Sequence, residues 1–147
     1  MGGELDEKTR MLEMYKHAAT FYYKMLRSEY GKIGYQYLRK RGLSDETIKR
    51  FGLGYSTKFG KDLYNYLKQQ GFSDQMMIEG GLVSHSEKAG AYDRFWNRVM
   101  FPIMDANHKV IGFGGRVMGE GEPKYLNSPE TKVFDKSRNL YGLNYAK

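Results

Sequence analysis

Cysteine is missing from these 147 residues, and with it go disulfides, thiolate nucleophiles and cysteine-held zinc. No apolar run approaches the roughly 20 residues of a membrane-spanning helix. The opening MGGELDEK is acidic and polar, unlike a signal peptide. A metal centre needs ligands that converge, but His17, His85 and His108 are scattered, and neither D-x-D nor H-x-x-x-H occurs. No serine sits in a nucleophile elbow. GFGGR at 112–116 lacks the Gly-Lys-Ser/Thr ending of a P-loop and follows no βα crossover, so nucleotide hydrolysis is not expected there. These exclusions leave binding rather than unaided bond breaking, with no catalytic and no metal-ligating residue expected.

Hydrophobic residues make up 40% and charged residues 28%, a globular balance, and the length suits one domain over 1–147 with one modest core. Net charge is +7 and is unevenly spread: −3 over residues 1–7, +9 over 8–61, −2 over 62–94 and +3 over 95–147. The positive charge therefore lies on the first helical half and, more weakly, on the last third, which favours a polyanionic partner. Met1-Gly2-Gly3 reads as an artificial start, and the chain is expected to be a fragment.

Apolar residues at Met11/Leu12, Tyr15, Ala18/Ala19, Tyr22 and Met25/Leu26 predict a helix over 6–30. A second helix runs from Ile33 to Arg41 and stops at Gly42 as a left-handed cap. YLRKRGLSDETIKRFGL (37–53) then recurs as YLKQQGFSDQMMIEGGL (66–82), with seven of 17 positions identical at an offset of 29. Each copy reads as helix, glycine stop, serine cap, short helix and closing glycine. Arg39-Lys40-Arg41 in the first copy becomes Lys68-Gln69-Gln70 in the second, so the first copy is the one expected to touch nucleic acid. After Gly80-Gly81 the period changes. Val99, Phe101 and Ile103 alternate with Arg98, Met100 and Pro102 as in a half-buried strand, and Lys109–Val117 returns after a turn at 105–108. A short strand near 82–84 or 91–94 is expected to join them. The fold class is α+β: a long helix plus two short helical hairpins (6–81) packed with a small, mainly antiparallel sheet (82–147).

Gly112–Gly142 carries the densest chemistry. Arg116 closes a strand among glycines, where a guanidinium can pass bare backbone to reach phosphate. Lys124-Tyr125-Leu126-Asn127-Ser128-Pro129 joins a cation, a stacking ring and two small hydrogen-bonding side chains in one extended segment, a combination that grips single strands. Lys136 and Arg138 flank Ser137 in a loop and complete the candidate set.

The succession RVMFPIMDANHKVIGFGGRVMGEGEPKYLNSPETKVFDKSRNLYGL (98–143), preceded by YLRKRGLSDETIKRFGLGYS (37–56), closely resembles bacterial DnaG-type primases, specifically the N-terminal subdomain of their catalytic core. The resemblance implies a DNA-directed RNA polymerase that makes short RNA primers on single-stranded DNA from ribonucleoside triphosphates, in the bacterial cytoplasm at the replication fork. It implies a basic ridge at Arg41, Arg116, Lys124, Tyr125 and Lys136, with Asn127 and Ser128 in the same motif. It also implies a zinc-binding domain with Zn²⁺, a toprim subdomain whose acidic residues hold Mg²⁺, and a C-terminal domain that meets the replicative helicase. None of those three is present in this sequence, so the fragment is expected to bind template and nucleotide but not to polymerise alone. A reading from another class is a non-catalytic helical-hairpin module that uses Arg39-Lys40-Arg41 and Lys49-Arg50 on duplex DNA, with Ile48 and Phe51 buried.

Overall fold

In the computed structural model, which describes residues 3–135, the apolar spacing of the first helix becomes α1 (Gly3–Leu26). Met11, Met14, Tyr15, Ala18, Tyr22 and Leu26 are all buried along one stripe of it. The helix ends sooner than its periodicity suggests, and a 3-10 turn at Glu29–Gly31 follows.

The sequence repeat is a structural repeat. α2 (Lys32–Lys40) and α3 (Asp45–Arg50) form the first hairpin, and α4 (Asp62–Gln69) and α5 (Asp74–Glu79) the second. Ser44 Oγ accepts the Thr47 N–H and Ser73 Oγ the Met76 N–H, each at 3.1 Å. Gly42 and Gly71 sit at φ 94° and 93°, the left-handed region that a side chain disfavours. The residues after them close the turn alike, Leu43 N–H on the Leu38 carbonyl and Phe72 N–H on that of Leu67, both at 3.1 Å.

β1 (Gly54–Ser56), β4 (Arg98–Met104), β5 (Val110–Val117) and β6 (Tyr125–Asn127) form one antiparallel sheet in that spatial order. β2 (Val83–Ser86) and β3 (Gly90–Asp93) do not join it but pair with each other. β4 is not half-buried as its alternation suggests: Arg98, Val99 and Met100 are all buried. As an inner strand it has cover on both faces. Met100 and Phe113 pack with α1, α4 and α5, whereas Val99 packs with Leu26, Leu38, Ile48 and Tyr55. α1 presses so closely on β1 that a Cβ at Gly54 would lie 2.6 Å from the Tyr22 carbonyl carbon.

Candidate nucleic-acid interface

β6 is the last strand of the sheet among the described residues, and its register with β5 sets Tyr125 opposite Arg116. Directly paired residues share a face. The Arg116 guanidinium accordingly lies 5.0 Å from the centroid of the Tyr125 ring, which is 50% exposed. Arg116 Nε is buried and makes no hydrogen bond. Arg41 approaches from the end of α2. Its Nε donates to Tyr37 Oη at 3.2 Å. Its pKa is raised, chiefly by that hydrogen bond and with a smaller contribution from Tyr125, which places Arg41 and Tyr125 in one neighbourhood. The structure thus brings Arg116 and Tyr125 together and sets Arg41, 75 and 84 positions earlier in the chain, near enough for the Tyr125 hydroxyl to act on its charge.

Lys124, immediately before β6, is exposed. Its carbonyl accepts the Val117 N–H at 2.9 Å. Asn127, opposite Gly114, is half-buried. Ser128 is different in kind. It is fully buried, its Oγ accepts the Phe113 N–H at 2.8 Å, and its own N–H donates to the Phe113 carbonyl at 2.7 Å. That hydroxyl is committed to the backbone and fastens the end of β6 to β5. Lys136 and Arg138 lie outside the described residues.

Two arginines that strand alternation would point outward lie beneath β6. Arg98 is 5% exposed, and its Nη1 donates to the carbonyls of Gly115 and Lys124, each at 3.3 Å. Arg94 Nη2 donates to the Asn127 carbonyl at 3.0 Å. Burial lowers both pKa values, and for Arg98 the nearby Arg94 charge adds to the effect. Among the described residues none of Arg41, Arg94, Arg98, Arg116 or Lys124 is ion-paired to a carboxylate. The only sequence signal for this arrangement was the Gly114-Gly115 pair, because a bare strand position permits another chain to cross it.

Sequence reasoning also missed an exposed aromatic patch. Tyr30 and Phe59 pack edge to face at 5.8 Å, and beside them the Trp96 indole N–H donates to the Lys58 carbonyl at 2.7 Å. The lone tryptophan, set in a polar turn, was the available hint.

No group of three or more His, Asp or Glu side chains converges among the described residues, so these residues offer neither Zn²⁺ nor Mg²⁺ a donor set of that kind. No helix there is long and apolar enough to cross a membrane. The duplex-reading hairpin loses support. α3 has six residues, Ile48 is buried, and Arg39 is drawn back to the Leu43 carbonyl and to Asp45. Phe51, expected in the core, is 43% exposed and lines a cavity of about 710 Å³ with Leu43, Phe101 and Pro102.

The model of the family described as the DNA primase catalytic core, N-terminal domain, matches residues 21–147. The chain belongs to that family. It is 45% identical over 137 residues to the DNA primase of Clostridium acetobutylicum, covering 93% of this chain and 22% of that protein. Against the DNA primase of Escherichia coli the figures are 44% over 140 residues, 95% and 24%. This primase core domain therefore spans less than a quarter of the length of these relatives. Its fold superposes on a DnaG primase catalytic domain bound to single-stranded DNA with a TM-score of 0.88 at 37% identity, over 97% of this chain and 47% of that one. The RNA polymerase domain of Mycobacterium tuberculosis DnaG gives 0.83 at 32% identity, over 88% and 42%.

Proposed function

We propose that this chain is the template- and nucleotide-binding part of a DNA primase, and that Arg116, Tyr125, Arg41 and Lys124 hold its polyanionic ligands. One observation carries the reading: Arg116 and Tyr125 are stacked at 5.0 Å on the last strand, Arg41 reaches the same ring's neighbourhood, and no carboxylate neutralises them among the described residues. A phosphate supplies the missing counter-charge, and guanidinium geometry suits it. The half-exposed Tyr125 ring offers a face to a base, and Trp96, Phe59 and Tyr30 form a second exposed aromatic patch. Asn127 presents its amide in the same strand. Lys136 and Arg138 continue the cationic sequence beyond the described residues.

Primer synthesis from ribonucleoside triphosphates needs carboxylates that bring two cations to the attacking and leaving oxygens. In this reading they come from a toprim subdomain of the same polypeptide. Zinc-binding and helicase-binding domains serve the whole enzyme at the replication fork in the bacterial cytoplasm. The chain alone binds single strands and does not polymerise.

Fluorescence anisotropy of a labelled single-stranded oligonucleotide, over a salt series with a duplex competitor, tests this. Single-strand preference with a log–log salt slope near −0.7 per phosphate contacted is expected. Equal affinity for duplex, or no binding at low salt, would overturn it.

A further inference from the structure

We infer that Arg98, assisted by Arg94, is a positioning residue that holds β6 in the place where Lys124 and Tyr125 can meet a polyanion, and that Gly115 is the passage it needs. This rests on the reading of the interface given above. It adds two residues that touch no ligand and act through the strand they carry.

The geometry starts from Gly115. A Cβ there would lie 3.0 Å from Arg98 Cδ and 3.2 Å from Arg98 Cβ, because the arginine stem runs across the bare strand position. Its guanidinium emerges at the far edge and binds the Lys124 carbonyl at the start of β6. Arg94 binds the Asn127 carbonyl at the other end. β6 has three residues, too few to fix its own register firmly by ladder bonds alone. Two guanidinium clasps, one at each end, supply what the ladder lacks. The Arg98 charge also sits close to that of Lys124, whose carbonyl it holds at 3.3 Å. With no carboxylate partner among the described residues, this positive layer favours an anion at the strand edge.

Arg98→Met keeps much of the stem and removes the fork, and it is compared with Arg98→Lys and with each change made in a Lys124→Ala background. The probe is a labelled oligothymidine, read by anisotropy. Arg98→Met is expected to weaken binding about tenfold and to flatten the salt slope by about 0.7. In the Lys124→Ala background the same change is expected to cost less than about twofold, because the two residues act as one unit. Arg98→Lys restores part of the loss. Full affinity in Arg98→Met, or an undiminished loss without Lys124, would overturn the inference. Amide hydrogen exchange supplies a readout free of ligand. β6 amides should exchange faster in Arg98→Met, or in Arg98→Lys if the former does not fold, with α1 protection unchanged. If the wild-type chain binds no oligonucleotide, the interface reading fails, and faster β6 exchange alone still upholds the positioning role whereas unchanged exchange refutes it.

Discussion

The two helical hairpins share a backbone and differ in almost everything built on it. Their serine caps and left-handed glycines coincide position by position. Phe72 in the second hairpin is buried under the Arg10 guanidinium at 4.0 Å, whereas its counterpart Leu43 is part-exposed beside the cavity. Gly80, buried, gives its carbonyl to the Tyr15 hydroxyl at 2.8 Å, while its counterpart Phe51 is 43% exposed and lines the cavity. Gln70 replaces Arg41. Local hydrogen bonding thus writes the same motif twice, and tertiary contact makes one copy a buttress for α1 and leaves the turn of the other more exposed.

The largest expected effect separates the copies by packing. Phe72→Ala should cost about 3–5 kcal/mol in urea unfolding, as full burial demands, and Leu43→Ala about 1. Equal losses would remove the contrast. Next comes pH. The Asp93 carboxylate accepts the Leu63 and Tyr64 N–H groups at 3.0 and 2.9 Å, capping α4 from β3, whereas α2 has no side-chain cap. Burial raises its pKa from 3.8 to about 6. Between those values the folded chain holds more proton than the unfolded one, so stability falls as pH rises through the window, by about 3 kcal/mol in all. The cost is absent below the window and complete above it. Asp93→Asn should flatten stability against pH between 4 and 6, measured by thermal unfolding; an unaltered slope would assign it to other groups.

Where the copies agree, changes should agree. Ser44→Ala and Ser73→Ala are each expected to cost about 1 kcal/mol, and a difference between them larger than that figure would mean the caps are not equivalent. The smallest effect is on binding. Arg41→Gln, which gives the first hairpin the residue of the second, should weaken single-strand affinity about threefold and leave the melting temperature unchanged, and Gln70→Arg should gain nothing.

The repeat and α1 were legible because their information is local: spacing, caps and stops lie within a few residues of the groups they satisfy. β1 was not, since Gly54–Ser56 becomes a strand only through pairing with Arg98–Met100, more than 40 positions away. A strand near 82–84 or 91–94 was legible, but β2 and β3 both form and pair locally with each other instead of joining the main sheet. In the interface, Arg116, Tyr125 and Arg41 were readable as residue types, and the structure adds their convergence. Ser128 looked like a ligand contact, but its hydroxyl had a backbone donor to satisfy. Arg98 was invisible because alternation assigns a charged residue to solvent, and only the room beside Gly115 reveals another path.

The tight seat of α1 on Gly54 has a consequence for how these molecules behave in company. An uncovered strand at the rim of a sheet invites a neighbour to add another, and assemblies grow from such invitations. Here α1 lies over the rim strand β1 so closely that its main chain leaves no room even for a methyl group. At the opposite rim β6 offers three residues between Pro123 and Pro129, neither able to donate a hydrogen bond, with Lys124 beside them. Among the described residues, the short proline-bracketed β6 thus offers a second copy little edge to pair with, and a glycine that looks like a packing detail lets α1 crowd the strand at the other end.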